Sequence, residues 1–180
     1  MVFPATSTIL APHWYALHTR SRDEKVVDRL LRHSGFRTFL PLIVKRSRLS
    51  LRRMREAELP LFPGYTFAQF APSRENLRVI RASAGVAGIV GSNSGPAFIP
   101  DAEIEAIKRV LANHIACFPG DELSVGQRVI VTSGPLRGVC GEIVGRKSQE
   151  VFVVKVRLIR RCLQVDLSPD DLQSVASLAA

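Results

Sequence analysis

The chain changes its hydrophobic rhythm near residue 113. Upstream, strand-like and helix-like patterns alternate; downstream, only short apolar runs recur between turn residues. Trp14-Tyr15-Ala16-Leu17-His18 is aromatic and roughly alternating, which predicts a strand. Ser21-Arg22-Asp23-Glu24 has the form of a capping box, with Ser21 as the N-cap and Glu24 reaching back to it. Val26, Val27, Leu30 and Leu31 then form an apolar stripe at helical spacing, and Gly35 supplies a stop. Phe36 to Val44 is β-rich, and Pro41 confines it to a sheet edge or a bulge. Leu59 to Phe70 predicts a strand around the sharp Phe62-Pro63-Gly64-Tyr65 corner. Ser73 is placed to cap a short helix carrying Leu77 and Ile80, and Val86 to Val90 predicts a short strand. Residues 91–96 read as a loop on composition. Pro100-Asp101 opens a helix with Ile104, Ile107 and Leu111 on one side and a Glu105–Arg109 pair on the other.

The order β-α-β-β-α-β-α describes helices packed on a sheet, an α+β fold of the α/β sandwich type. Residues 1–12 read as a flexible tail and 13–112 as the first domain. Residues 113–122, with Pro119-Gly120-Asp121, read as a linker, and 123–175 as a second domain. In that second domain Arg128–Thr132, Val139–Arg146, Val151–Arg157 and Leu163–Leu167 are strand-sized and separated by turn residues, the pattern of a small β-barrel.

Composition adds a partner class. Hydrophobic residues make up 46% and charged ones 23% of the 180 positions, which fits an ordinary globular chain. Lys and Arg number 25 against 16 Asp and Glu, for a net charge of +9. Residues 1–115 hold 17 of the cations and 9 of the anions, whereas residues 116–180 hold 8 and 7. The cationic excess, and with it the attraction to a polyanion, therefore belongs to the first domain. No apolar run reaches the roughly 18 residues that span a bilayer, and the N-terminus lacks the features of a secretory signal. Three widely spaced cysteines (Cys117, Cys140 and Cys162) form no C-x-x-C pair, so a cytoplasmic protein without metal or disulfide framework is expected.

Two clusters carry most of the excess. Arg22, Lys25, Arg29 and Arg32 recur at steps of 3, 4 and 3 and share one face of the first helix, with Asp28 in reach of Arg32 or Lys25. Lys45 to Arg55 packs Lys45, Arg46, Arg48, Arg52, Arg53 and Arg55 into a stretch without acids, which predicts a basic hairpin tip.

Several motifs, in order and spacing, resemble the NusG family of transcription elongation factors. In the first domain they are Trp14-Tyr15, Phe62-Pro63-Gly64-Tyr65, residues 85–91 (GVAGIVG) and residues 96–100 (PAFIP). In the second, residues 125–129 (VGQRV) and 134–141 (GPLRGVCG) look like a KOW motif. The resemblance implies a NusG-type N-terminal domain, a linker and an SH3-like KOW barrel. It also implies that the first domain binds the clamp helices of the largest RNA polymerase subunit and suppresses pausing. Carried over by position, Trp14, Phe62, Pro63 and Tyr65 are the clamp-binding candidates, as an exposed aromatic depression, with Tyr15 and Phe67 pointing the other way. Asn76, Leu77 and Arg78 match the segment that touches the opposing gate loop. His18, Arg20, Arg22, Lys25, Arg29, Arg32, Arg52 and Arg53 are candidates for nucleic acid, including non-template DNA. Leu136, Leu158, Ile159 and Arg161 stand where the second domain engages a ribosomal small-subunit protein or Rho. Leu136 and Ile159 replace aromatic residues usual in housekeeping members. That departure, the basic hairpin and the segment 58–65 lean toward RfaH-type or UpxY-type antiterminators that act on particular operons.

Enzyme signatures are missing: the sequence has no phosphate-binding loop, nucleophile elbow, H-E-x-x-H or C-x-x-C. A non-enzymatic, cofactor-free monomer is expected. The rival reading is a ribosome-associated KOW protein that binds RNA, against which stands a second domain netting only +1. A general housekeeping NusG is the other alternative.

Overall fold

A computed structural model of the chain describes residues 11–50, 53–113, 117–121, 127–146, 149–156, 159, 161–165 and 172–174. Strand β1 (His13–Thr19) is the centre of a five-stranded antiparallel sheet. It pairs with β5 (Tyr65–Phe70) on one side and with β6 (Val86–Ile89) and β9 (Phe98–Ile99) on the other; β2 (Arg37–Phe39) forms the outer edge beside β5. The β1–β5 register places Ala16 opposite Phe67 and His18 opposite Tyr65. Cross-strand partners share a face, so Trp14, Ala16, His18, Tyr65 and Phe67 lie on one side and Tyr15, Leu17, Ala68 and Phe70 on the other. Phe67 thus joins Trp14 rather than opposing it, which corrects the expectation for that residue.

Helices cover both faces. Val27 and Leu31 of α1 (Glu24–His33) and Ile80 of α2 (Arg74–Ala82) pack with Tyr15, Leu17, Ala68 and Phe70. Ile104, Ile107 and Val110 of α3 (Asp101–Ala112) pack with Trp14, Ala16, Phe62 and Phe67. Each fully buried aliphatic side chain of this kind contributes about 1.5–3 kcal/mol. The expected four-residue stripe on α1 is only two residues wide. Val26 and Leu30 are 42% and 38% exposed, because each lies a 100° step round the helix from Val27 and Leu31. Ser73 does cap α2, its Oγ accepting from the Asn76 amide at 3.2 Å.

Two segments form ribbons outside the main sheet. Strands β3 (Leu42–Ser50) and β4 (Arg53–Pro60) pair from Leu42–Pro60 outward, so most of the basic run is antiparallel β-structure. Pro41 separates β2 from β3, splitting the expected Phe36–Val44 strand in two. Residues 91–96 fold as a tight hairpin of β7 (Gly91–Ser92) and β8 (Gly95–Pro96) instead of a loop.

The second unit is a six-stranded antiparallel sheet. Its order is β10 (Cys117–Asp121), β14 (Arg161–Val165), β13 (Gln149–Val156), β12 (Cys140–Arg146), β11 (Gln127–Val131), β15 (Leu172–Ser174). The four strands expected from β11 to β14 are present with ends shifted by a residue or two. Among the described residues β10 and β15 are its edges, and no closed barrel is found. Strand β10 occupies the middle of the expected 113–122 linker. An edge position tolerates Pro119, which has no amide hydrogen to donate. The two units share a core: Val129, Val131, Leu136, Val139, Ile159 and Val165 continue the cluster containing Trp14 and Ile107. Arg109 at the end of α3 donates from Nη1 to the Arg137 carbonyl at 3.2 Å, instead of pairing with Glu105. Glu105 pairs with Lys108 at 2.7 Å.

Candidate polymerase and nucleic-acid surface

The sharp corner before β5 is fastened from two sides. Gly64 adopts φ +82, a left-handed conformation that glycine takes without a Cβ penalty. Its carbonyl accepts from the Thr19 amide at 2.9 Å, and its amide donates to Glu24 Oε1 at 2.7 Å. Glu24 is itself buried. The expected capping box is therefore replaced: the N-cap is Asp23, no side chain caps the helix, and Glu24 spends its carboxylate on a turn forty residues away. The cause is geometric. Arg22 takes φ +69 in the turn between β1 and α1, and the helix begins after it, with Asp23 and not Ser21 as the N-cap.

This arrangement unites residues that the sequence reading kept in separate groups. His18 and Tyr65 are cross-strand partners whose rings lie 4.7 Å apart. Pro63 and His18 are exposed, and Tyr65 is half-buried. Arg20 and Arg22 follow on the same edge, exposed. A partly apolar, partly cationic surface thus runs from Pro63 across Tyr65 and His18 to Arg20 and Arg22.

Trp14 and Phe62 are not on that surface. They are 3% and 0% exposed, so the expected open aromatic depression is filled. Trp14 lies edge-on to Phe39, with the Lys108 ammonium 5.0 Å and the Arg37 guanidinium 5.8 Å from its ring centre. Phe62 meets Phe67 at right angles with centroids 6.1 Å apart. Their large apolar surfaces are satisfied by α3 and the shared core.

The remaining candidates divide similarly. On α1, Asp28 joins Arg32 at 3.1 Å and accepts from the Thr38 hydroxyl at 2.6 Å; Lys25 reaches Glu58 of β4 at 3.4 Å. Arg29 stays exposed. The cationic stripe is thus partly self-neutralised. Arg53 begins β4, while Arg52 lies outside the described residues, as does Leu158. On α2, Asn76 binds the Ala71 carbonyl through Nδ2 at 2.9 Å and Leu77 packs half-buried, which leaves Arg78 as the exposed member of the gate-loop trio. Leu136 and Ile159 are 1% and 6% exposed, in the shared core and not on open loop tips; Arg161 is half-buried. Between α3 and the second unit a cavity of about 250 Å³ is lined by Glu103, Glu105, Arg109, Arg128 and Glu142, among others. Burial pushes the Tyr15 phenol above its ordinary value. Among the described residues no group of three or more His, Cys, Asp or Glu side chains is placed to hold a metal, and no helix is long and apolar enough to cross a membrane.

Sequence reasoning also misplaced Glu24. Its partner amide is distant in the chain, so the only local signal, a Ser-x-x-Glu spacing, suggested a different bond.

The comparisons agree with this architecture. A family model described as "Transcription termination factor nusG" matches residues 12–108, the first unit and most of α3. A Staphylococcus epidermidis protein named transcription termination/antitermination protein NusG is 27% identical over 160 residues, which cover 82% of this chain and 84% of that relative. The Staphylococcus carnosus protein of the same name is 27% identical over 161 residues. A solved structure described as "Domain interaction in Thermotoga maritima NusG" covers 91% of this chain with a TM-score of 0.55 at 23% identity, a likeness of fold. With the family model spanning more than half of its length, the chain belongs to the NusG family of transcription termination and antitermination factors.

Proposed function

We propose that this protein binds RNA polymerase through its first unit and acts as a transcription elongation and antitermination factor. One observation carries the reading: the family match falls on residues 12–108, and within it the Pro63–Tyr65 corner is held rigid beside exposed His18, Arg20 and Arg22. In this proposal Pro63 and Tyr65 meet the polymerase clamp helices, while Trp14 and Phe62 support the corner from beneath. Little ordering cost opposes docking, because Glu24 and Thr19 already fix the turn. Arg78 is the side chain offered to the gate loop. His18, Arg20, Arg22 and Arg29 face nucleic acid, with the basic β3–β4 ribbon as a second contact.

The second unit is proposed to be the family's KOW barrel, serving as a partner-binding module for a ribosomal small-subunit protein or Rho. Leu136 and Ile159 would become available to such a partner only when the shared core opens. The leucine and isoleucine there, and the Arg-rich ribbon, favour a factor dedicated to particular operons over a general one. The test is to combine the full chain with purified polymerase and record pausing on a defined template. Expected are co-elution with polymerase, fewer long pauses, and loss of both on Tyr65→Ala with melting unchanged. Co-elution with ribosomal subunits and not with polymerase would overturn the proposal.

A further inference from the structure

Helix α2 carries a row of arginines of which the surface described above uses only Arg78, for the gate loop. Arg74, Arg78 and Arg81 stand at i, i+4 and i+7, within about 60° of one another around the helix and about 10.5 Å from end to end. All three are exposed. Among the described residues no ion pair joins any of them, or neighbouring Glu75, to another side chain.

Helix stability accounts only for Arg81, a cation in the last turn. Arg74 occupies the first turn, where a cation opposes the helix dipole, and it stands four residues from Arg78, where like charges repel. The loop that follows α2 is packed against the β1–α1 turn. The Arg20 amide donates to the Gly85 carbonyl at 2.8 Å, just beyond the end of α2. Gly85 lies so close to α1 that a Cβ there would sit 2.9 Å from Asp23 Cβ and from Val27 Cγ2. Arg22 lies in that same β1–α1 turn and is held at φ +69, a conformation that a non-glycine residue keeps only when its surroundings impose it. Three unpaired cations thus share one face of α2, and the loop after the helix is packed against the turn that holds a fourth.

We propose that Arg74, Arg78 and Arg81 form a track for the phosphate backbone of duplex DNA. Phosphates on one strand advance about 3.4 Å per base pair along the axis, so the helical row spans roughly three of them. No aromatic side chain interrupts α2. Single-strand binders place aromatic rings between their cations to stack on bases, and α2 offers none between its arginines. The contact is therefore to backbone alone and independent of sequence. The choice of DNA rests on the proposed role in transcription, but the test needs no polymerase, so either proposal can fail without the other.

The experiment measures anisotropy of a fluorescent 20-base-pair duplex with the full chain across a salt series. Neutralising the row (Arg74→Gln, Arg78→Gln and Arg81→Gln together) should reduce the slope of log affinity against log salt by about 2.7, near 0.9 per lost contact. Each single substitution should remove about a third of that. The melting temperature should stay level or rise, because self-repulsion is relieved. Arg137→Gln, an exposed cation of the second unit, should leave the slope unchanged. An unchanged slope in the triple variant, or the same per-charge loss in Arg137→Gln, would overturn the track. So would equal losses for a 20-base single strand, or a loss confined to anionic phosphatidylglycerol vesicles with duplex binding intact.

Discussion

Removing the Glu24 carboxylate tests whether the corner is held from outside its own sequence. In the native fold Glu24 Oε1 lies 2.7 Å from the Gly64 amide and the side chain is buried, so Glu24→Ala strands a buried donor. A hydrogen bond to a charged group contributes about 1.5–3 kcal/mol, and each kcal/mol corresponds to roughly 2–4 °C for a chain of this size. Glu24→Ala should therefore lower the melting temperature by about 4–8 °C, taking a mid-range loss of ~2 kcal/mol. Glu24 also sits in the first turn of α1, where a negative charge favours the helix by about 0.3–1 kcal/mol. Two further substitutions separate the effects. Glu24→Gln keeps an acceptor of the same length without the charge and should lose about half as much. Glu24→Asp keeps the charge at the helix start but is one methylene short of Gly64, and should behave nearly like Ala. Hydrogen exchange at the Gly64 amide, followed by NMR beside the thermal melt, reads the bond itself. Exchange should accelerate in the Ala and Asp variants and stay slow in Gln. A silent Asp variant with a damaged Gln variant would show that the helix dipole is the whole effect, and the fastened corner would be refuted.

Four other outcomes follow from the same geometry. Gly85→Ala should be far costlier than Gly64→Ala: both have φ above +80, but only at Gly85 would the new Cβ meet α1. Comparative urea melts check the order, with Gly64→Ala near 1 kcal/mol from backbone strain alone. Trp14 is the single tryptophan and lies in the core shared by both units, so its emission should shift to the red when Leu136→Asp breaks that core; unchanged emission would separate the units. Phe62→Ala should cost about 3–5 kcal/mol of stability, measured by denaturant titration, because the side chain is fully buried. The Tyr15 phenol, raised by burial, stays neutral in the fold after it would ionise in the unfolded chain. Its contribution is complete below about pH 10 and is lost as pH climbs through the folded value, so melts above pH 10 should fall less steeply in Tyr15→Phe.

Local pattern was a good guide where neighbours in the chain make the contact. Ser73 capping α2, Pro100-Asp101 opening α3 and the Asp28–Arg32 pair all join residues within four positions. It was a poor guide where two segments compete for one side chain. Glu24 had a local partner available in the Ser21 amide and took a distant one, because the left-handed Arg22 carries Ser21 away from the helix. Lys25 and Arg109 likewise left their expected i,i+3 or i,i+4 neighbours for Glu58 and the Arg137 carbonyl. Strand β10 was hidden for a related reason. Pro119 and Gly120 discourage a central strand but suit an edge, and which strand will be the edge depends on β14, forty residues on.

The aromatic candidates show the same limit for function. The β1–β5 register, which the sequence does not give, places Trp14, Phe67 and Tyr65 on one face of the sheet, and what covers that face is a second matter again. Helix α3 and the second unit cover the Trp14 end, while the Tyr65 end, where Gly64 is tied down, remains half open. One aromatic face is thus divided into a core and a contact surface, and the boundary falls at the turn that Glu24 holds. Substitutions at Trp14 or Phe62 should act first on stability, and substitutions at Pro63, Tyr65 or His18 first on binding. Polymerase affinity and melting temperature measured on Phe62→Ala and Tyr65→Ala in parallel decide the matter. A loss of affinity in both that tracks the loss of folded protein would place Tyr65 in the core as well.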